Sequence, residues 1–423
     1  MKASGINRDS NAVLQTAGFT TSALLAPAQA LERYFSRAQL RPPQIEVVAL
    51  EHAYGRALAQ RIAADAPYPA APRSAMDGFA IAASSTPGRF RIAGEIRMGA
   101  PYGATLATGE AVRIPTGGML PEGADTVVPV EDVRVERGEV VVTATVPAGD
   151  CVTPQGSDMR AGEVQLEPGR IIGGAELGVL ATLGAATVSV YRRPVVGVLS
   201  SGDELVPVDS TPGPAQVRDS NRWAIAGTLA AMGAAVRHLP TSPDDPQRLE
   251  ALLKEAAATC DAVVLTGGSS VGERDLTPRI VEKLGKPGVI VHGLRVKPGK
   301  PTVLAAVDGK PVIGLPGNPA SALMILEAVA APIIAAIAGA RTRPVLVAAR
   351  LAEPLRKRAG WTWFAPVALE GAGATAAAQP LTIRSSSVSL LARASGFLTL
   401  DETVESLPAD ATVYVTRFRV GGS

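Results

Sequence analysis

Cysteine is nearly missing from this sequence, and so are histidine and the aromatic residues. The two cysteines, Cys151 and Cys260, are too few for a disulfide framework or a thiolate metal site. The three histidines, His52, His238 and His292, lie far apart in the chain, which argues against a histidine-based zinc site. Aromatic residues make up 4% of the chain, and nowhere do they alternate with basic residues as a nucleic-acid platform requires. An excess of one charge is lacking too: 41 Lys and Arg against 39 Asp and Glu leave +2. No nucleic-acid partner is therefore expected, and any anion site must be local. No apolar run reaches the roughly 20 clean residues of a membrane span. The best candidate, Ala320–Ile337, is interrupted by Glu327 and Pro332. A secretory leader is not expected either, because residues 17–30 end like a cleavage site but contain polar residues and a proline and lack a basic start. A cytoplasmic protein with a flexible tail over residues 1–21 is the expectation.

What the sequence has in plenty is small residues and turns, with 43 Gly and 34 Pro. A hydrophobic content of 47% against 19% charged residues fits a folded chain. Its 423 residues exceed one core, so about two to four domains are expected. Helical spacing of apolar residues predicts helices over Ala28–Ala38 and Val48–Ala64, with Leu50, Ala53, Leu58 and Ile62 on one face. Short β-branched runs then follow between Gly, Pro and Asp turns: Phe90–Ile96, Glu110–Ile114, Thr126–Val130 and Glu139–Val146. A further helix is predicted at Ala175–Leu183, in a segment expected to fold back on the first block.

From Val195 the pattern changes. Strands at Val195–Leu199, Ala235–His238, Asp261–Leu265, Val289–His292 and Val312–Leu315 alternate with helices. Ser220 or Asn221 caps the first helix, which runs to Met232. Asp245, followed by Pro246, caps the second. Thr277–Leu284 is the third, and a last helix starts near Pro319 and stops at Gly339. Alternation of this kind predicts a doubly wound parallel sheet. Beyond residue 342, runs at Val345–Ala349, Phe364–Leu369, Gly396–Leu400 and Ala411–Phe418 predict a small sandwich or barrel.

Ligands of open α/β sheets sit at the carboxyl ends of the strands, and three Gly-rich loops fall there. They are Ser200–Leu205 (SSGDEL), Thr266–Asp275 (TGGSSVGERD) and Gly314–Ser321 (GLPGNPAS). Gly267, Gly268, Gly272 and Gly317 let backbone N–H groups approach an anion, Ser269 adds a hydroxyl, and a helix N-terminus adds partial positive charge. Singly, each loop is compatible with tight packing alone; together they point to a phosphate-bearing ligand. Lys297 and Lys300, in the proline-stiffened segment VKPGKP, can hold an oxyanion as point charges. Glu204, Asp244 and Asp275 lie in or next to strand-end loops and could share Mg²⁺ with phosphate oxygens, although Asp244 is as readily a helix cap. By chemistry alone, Ser74–Ala80 (SAMDGFA) and Arg113–Gly118 (RIPTGG), with Pro121–Asp125 after it, read as structural turns.

In combination and order, SAMDGFA (74–80), IPTGGMLPEGADTVV (114–128), SSGDEL (200–205), TGGSSVGERD (266–275), KPGKP (297–301) and GLPGNPASA (314–322) resemble the molybdopterin molybdotransferase family, represented by MoeA and the E domain of gephyrin. The resemblance spans about 28–420. It implies a multidomain α/β plus β fold: a helical linker domain (22–65 and 160–193), a β-rich domain (66–159), a Mog-like doubly wound α/β domain (194–341) and a C-terminal β-barrel (342–423). It implies an elongated homodimer with a cleft built from both subunits. The implied reaction takes adenylylated molybdopterin and molybdate, inserts the metal and releases AMP with the help of Mg²⁺. Transient partners implied are a molybdopterin adenylyltransferase and recipient molybdoenzymes.

Carried over by motif, Asp77, Thr116, Glu204, Asp244, Asp275, Lys297 and Lys300 are catalytic candidates. Asp158, Gly267, Gly268, Ser269, Gly272, Pro316, Gly317, Pro319, Ser386 and Ser387 are candidates for substrate binding. Two departures stand out. Where the family pattern is Arg-x-Glu-Phe-x-Arg, this chain has Trp361, Trp363 and Pro366, so both arginines are missing; and a lysine that some members carry four residues before Lys297 is Gly293 here. A molybdopterin adenylyltransferase and a non-catalytic molybdopterin-binding paralogue remain alternative readings.

Overall fold

The structure, a computed structural model, describes residues 24–267, 276–382 and 387–419. The chain divides into two compact units. One comprises the described residues up to Ala59, Gly169–Gly174 and the described residues from Thr187 on; the other comprises Gln60–Pro168 and Ala175–Ala186.

In the first unit, helix α1 (Pro27–Arg37) opens with Pro27, while the Gln29 side chain accepts from the Ala26 N–H at 3.2 Å. Its buried face, Ala30 and Tyr34, repeats at i and i+4, and the Tyr34 hydroxyl donates to the Ala305 carbonyl at 3.3 Å. The helix expected over Val48–Ala64 does not form. Ile45–Ala49 is a strand, Leu50–His52 a single turn, and the rest is irregular up to the two-residue strand Ile62–Ala63. The β-branched residues at 45–48 pair antiparallel with Thr187–Tyr191, which shows that the two flanking segments do fold together. Gly55, at φ +71°, then turns the chain. Beyond it the Leu58 N–H finds the Arg170 carbonyl and the Ala59 N–H that of Ser189. The apolar spacing was real, since Ala53 and Leu58 are fully buried, but tertiary pairing supplied the backbone partners that a helix would have.

The α/β part follows in the order β1 (Val195–Ser200), α2 (Ser220–Ala231), β2 (Ala235–His238), α3 (Pro246–Thr259), β3 (Ala262–Thr266), α4 (Leu276–Leu284), β4 (Pro287–His292), β5 (Val303–Val307), β6 (Lys310–Leu315) and α5 (Pro319–Ile337). The six strands lie in the order β2-β1-β3-β6-β5-β4. The first four are parallel, but β5 runs antiparallel to both β6 and β4, so the sheet is mixed rather than wholly parallel. The reason is local. No helix intervenes between β4 and β6, and Asp308-Gly309, both left-handed at φ 50° and 79°, makes a two-residue hairpin turn that only antiparallel strands accept. The hairpin puts the amino end of β5 beside the carboxyl end of β6, with Val303 opposite Gly314. The loop carrying Lys297 and Lys300 therefore lies on the same sheet edge as the strand-end loops.

Helix α5 is long and apolar enough to cross a membrane, yet 72% of its apolar window is buried inside the protein. Ile325, Val329, Ile333 and Ile334 sit in the main core with Val196, Val264 and Ile313. Each such side chain removed from water contributes about 1.5–3 kcal/mol. A π-turn over Leu326–Ala330 places Glu327 inside, where Arg419 pairs with it at 2.5 Å.

Beyond α5, strands β7 (Leu346–Leu351), β8 (Thr362–Glu370), β9 (Ala377–Pro380), β10 (Gly396–Leu400) and β11 (Thr412–Arg417) pair in the order β8-β9-β7-β11-β10, and β10 returns to β8. This is a closed five-stranded barrel. Small residues such as Ala349, Ala365 and Ala378 share its interior with Leu351, Leu398 and Leu400, while Phe364 and Phe397 on the outer face meet edge-on at 5.7 Å in the α/β core.

The second unit is built on a six-stranded sheet in the order Thr126–Pro129, Gly78–Ile81, Glu110–Ile114, Gly88–Glu95, Glu139–Val142 and Arg134–Glu136. Apolar clusters cover both its faces. The predicted β runs fall here within a few residues.

Candidate functional site

Four parallel strands end in polar residues that bind one another. At the end of β1, Ser200 Oγ donates to Asp219 Oδ1 at 3.0 Å, and Ser201 Oγ donates to Asp244 Oδ1 at 3.0 Å. Ser201 also pairs with Ser242 beyond β2, so the sheet continues into the loops. The Asp244 N–H donates to Asp203 Oδ1 at 3.1 Å, tying the SSGDEL loop to the loop after β2. At the end of β3, Gly267 (φ +85°) touches the β1 loop so closely that a Cβ there would lie 1.9 Å from the Ser201 carbonyl oxygen. At the end of β6, Pro316 and Gly317 lie next to Gly267, since a Cβ on Gly317 would meet the Gly267 Cα at 3.6 Å.

The first turn of α2 closes this crevice. Asn221 Nδ2 donates to Thr266 Oγ1 at 3.0 Å and to the Gly317 carbonyl at 2.7 Å, and Thr266 Oγ1 donates to the Pro316 carbonyl at 3.0 Å. One amide therefore links the ends of β3 and β6. Arg222 Nε donates to Asp219 Oδ2 at 3.1 Å and its Nη2 to Thr241 Oγ1 at 2.7 Å. The capping residue of α2 is Asp219, accepting from the Arg222 N–H, and not Ser220 or Asn221 as expected. Sequence reasoning gave Asp219 and Arg222 no role, took Asn221 only as a possible helix cap and Thr266 only as the start of a Gly-rich loop. The available signal was a carboxylate one position ahead of the chosen cap. Asp245 caps α3 as expected, accepting from the Arg248 N–H at 2.7 Å, which leaves the exposed Asp244 beside it for other work. Helix α5 starts at Pro319 without a side-chain cap, so its first-turn N–H groups face the loop end unpaired by Asn318.

Lys297 and Lys300 share the loop after β4. Gly299 (φ +112°) lays that loop on α5, where a Cβ would lie 2.2 Å from the Ile325 side chain. Val296–Lys297 then adds in parallel to β8, with Lys297 opposite Trp363. Lys297, Arg356, Lys357, Arg358, Trp361 and Trp363 line a pocket of about 350 Å³. Pro366 is not part of it. Strand β8 pairs regularly from Trp363 to Val367, so the odd-numbered Trp363 and the even-numbered Pro366 face opposite ways. Of the two lost arginine positions, Trp361 lines this pocket and Pro366 does not.

In the second unit, Asp77 and Thr116 meet. Asp77 Oδ1 accepts from the Thr116 N–H at 2.6 Å and from its hydroxyl at 2.9 Å. Those two bonds, the backbone one first and the hydroxyl second, hold the carboxyl below the usual carboxylate range, with a smaller contribution from the Arg113 charge. The motif pair that chemistry alone reads as two turns is one hydrogen-bonded loop pair, in which Ser74 N–H also bonds the Gly118 carbonyl. Asp125, by contrast, has a structural bond, accepting from the Ala83 N–H at 2.7 Å. Asp158 lies in an exposed turn whose N–H bonds the Tyr68 carbonyl. Ser387 precedes the short helix Val388–Arg393 without capping it. Gly268, Ser269, Gly272, Asp275 and Ser386 lie outside the described residues, so the three-carboxylate set is seen only as Glu204 and Asp244. Among the described residues no group of three His, Cys, Asp or Glu side chains is arranged to hold a metal.

Fold and site together define a multidomain protein whose α/β part carries a crevice of small and polar residues at its strand ends. Residues 25–184 match the family described as "MoeA N-terminal region (domain I and II)", and residues 197–336 match the "Probable molybdopterin binding domain". A molybdopterin molybdenumtransferase of Haemophilus influenzae is 35% identical over 70% of this chain and 74% of its own length. That of Bacillus subtilis is 33% identical over 89% of this chain and 90% of its own. The crystal structure of the molybdopterin biosynthesis MoeA protein from Pyrococcus horikoshii superposes with a TM-score of 0.82 at 25% identity, covering 93% of this chain and 100% of that one. The chain belongs to the molybdopterin molybdenumtransferase family and is a transferase of molybdenum cofactor biosynthesis.

Proposed function

We propose that this protein inserts molybdate into adenylylated molybdopterin and releases AMP, with the strand-end crevice of the α/β part as the reaction site. The carrying observation is the convergence of Ser201, Asp244, Gly267, Pro316 and Gly317 at the carboxyl ends of neighbouring parallel strands. Small residues there allow a phosphate to reach backbone N–H groups, and the uncapped start of α5 favours negative charge. Lys297 and Lys300, on the same sheet edge, supply positive charge for molybdate. The reading is of a cytoplasmic homodimer that passes its product to recipient molybdoenzymes.

Mg²⁺ fits the donors present. Glu204 and Asp244 are exposed oxygen donors, Ser201 engages only Asp244 Oδ1, and no described donor reaches Asp244 Oδ2. When bound, Mg²⁺ would neutralise phosphate charge; Glu204 and Asp244, with Asp275, would hold it. The chain's own contribution is orientation. Ser201 fixes the Asp244 rotamer, and Asn221 locks the two loops against each other.

Incubating the purified protein with adenylylated molybdopterin, molybdate and Mg²⁺ should release AMP and load metal in equal amounts. Adenylylated molybdopterin retained intact on the protein would point to a non-catalytic binder. Adenylylation of molybdopterin from ATP would point to an adenylyltransferase. Sedimentation of an active monomer would remove the dimer.

A further inference from the structure

A separate cavity of about 200 Å³ lies at the edge of the α/β sheet opposite the crevice. Pro194, Asp261 and Lys310 line it, and they stand at the starts of β1, β3 and β6, the strands whose far ends form the crevice. The strand path from Asp261 to Gly267 is about 20 Å long, so a ligand here sits apart from the reaction site.

Asp261, the one acid lining the cavity among the described residues, is already neutralised. Its two oxygens accept from Arg192 Nη2 at 2.9 and 2.8 Å, and one also accepts from the Val195 N–H at 2.7 Å. Arg41 and Lys310 are different, since neither has an acidic partner among the described residues. Arg41 Nε donates to the Asp308 carbonyl at 2.8 Å, which leaves both terminal nitrogens of the guanidinium as an open fork. Lys310 Nζ donates once, to the Ala257 carbonyl at 2.6 Å near the end of α3, and keeps its other protons. The Arg41 N–H bonds the carbonyl of Gly309, the neighbour of Lys310, at 3.0 Å, so the two cations are held on one hairpin. Gln44 spends its amide oxygen on Arg192 Nε at 2.8 Å, and its amide nitrogen remains to donate.

Pro42, Pro43, Pro194 and Ile337 make the other walls. Stiff apolar walls suit a short carbon chain, which a bare phosphate lacks, and the guanidinium fork matches the two oxygens of a carboxylate. We propose that this cavity binds a short aliphatic dicarboxylate, with one carboxylate on Arg41 and Gln44 and the other on Lys310. Its volume, that of about seven waters, holds such a molecule but not a nucleotide. The proposal stands independently of the reaction in the crevice.

Succinate, glutarate, acetate, phosphate and AMP are titrated by calorimetry into the Mg²⁺-free protein. Succinate or glutarate should bind on the order of tenfold more tightly than the other three. Arg41→Gln and Lys310→Met should each weaken that binding about tenfold. Arg41→Lys, which keeps the charge but loses the fork, should weaken it too. Ala258→Phe should fill the exposed mouth of the cavity and block binding without removing any of these hydrogen bonds, so it serves even if the charge variants unfold. Lys297→Gln should leave dicarboxylate binding unchanged. Failure of both dicarboxylates to bind at millimolar concentration overturns the proposal. So does phosphate, acetate or AMP binding as tightly as they do, or binding that survives Ala258→Phe but is lost in Lys297→Gln.

Discussion

Alanine at position 267 would test how tightly the strand-end loops must pack. Gly267 holds φ +85°, a conformation that costs an alanine about 1–2 kcal/mol. The added Cβ would sit 1.9 Å from the Ser201 carbonyl oxygen, and reaching about 3 Å requires the two loops to part by about 1 Å. Neither side is a flexible side chain. The Ser201 N–H bonds the Thr266 carbonyl at 2.9 Å and the Gly202 N–H bonds that of Ser242 at 3.1 Å, so the strain spreads into the ends of β1, β2 and β3. Ser201 carries the hydroxyl that orients Asp244, so both move together. We predict that Gly267→Ala destabilises the fold by about 2–3 kcal/mol and lowers AMP release about 10²-fold, the usual cost of a 1 Å misplacement. Thermal unfolding and AMP release at saturating molybdate measure the two effects. A Gly267→Ala protein that melts and turns over like the wild type refutes the reasoning.

Other substitutions separate structural from functional acids. Asp245→Ala removes the α3 cap and should cost about 1 kcal/mol of stability while leaving AMP release per folded molecule intact. Thr116→Val removes one of the two bonds that lower the Asp77 pKa, so an NMR titration should show that pKa moving back up. A depressed carboxylate contributes stability above its ordinary range and loses it as pH falls through the lowered value, so the variant should lose this contribution at a higher pH than the wild type. Burial raises the Glu327 pKa and Arg419 opposes the rise. Arg419→Ala should therefore destabilise the protein by about 2–3 kcal/mol at neutral pH. That penalty should shrink as pH falls and Glu327 protonates, because a raised carboxylate favours the folded state only when protonated. A pH-independent penalty would contradict this account.

The alternation of strands and helices after Val195 was legible because the central parallel strands Val195–Ser200, Ala262–Thr266 and Lys310–Leu315 are almost wholly buried and read as apolar runs, with proline, a capping aspartate or glycine marking helix ends between them. Ala235–His238 and Gly396–Leu400 were placed to the residue. Three errors had distinct physical origins. The segment 48–64 has helical apolar spacing, but its backbone is satisfied by residues 170–172 and 187–191, which no local pattern reveals. Strand β5 was overlooked, although Asp308-Gly309 between apolar runs is a hairpin signal, because the alternation was read as parallel throughout. The distance in sequence between Asp77 and Thr116 hid their hydrogen bonds from chemical reading, and only the family resemblance gave them weight.

The claim that the reaction belongs to the strand-end crevice is tested most directly by the Mg²⁺ dependence of AMP release in Asp244→Asn. Asp244 is exposed and its neighbour Asp245 carries the helix cap, so the variant should unfold at the wild-type temperature. With adenylylated molybdopterin and molybdate saturating, AMP release should fall by roughly 10²-fold or more and respond only weakly to added Mg²⁺. A well-folded Asp244→Asn protein with the wild-type rate and Mg²⁺ response would place the chemistry elsewhere and contradict the account.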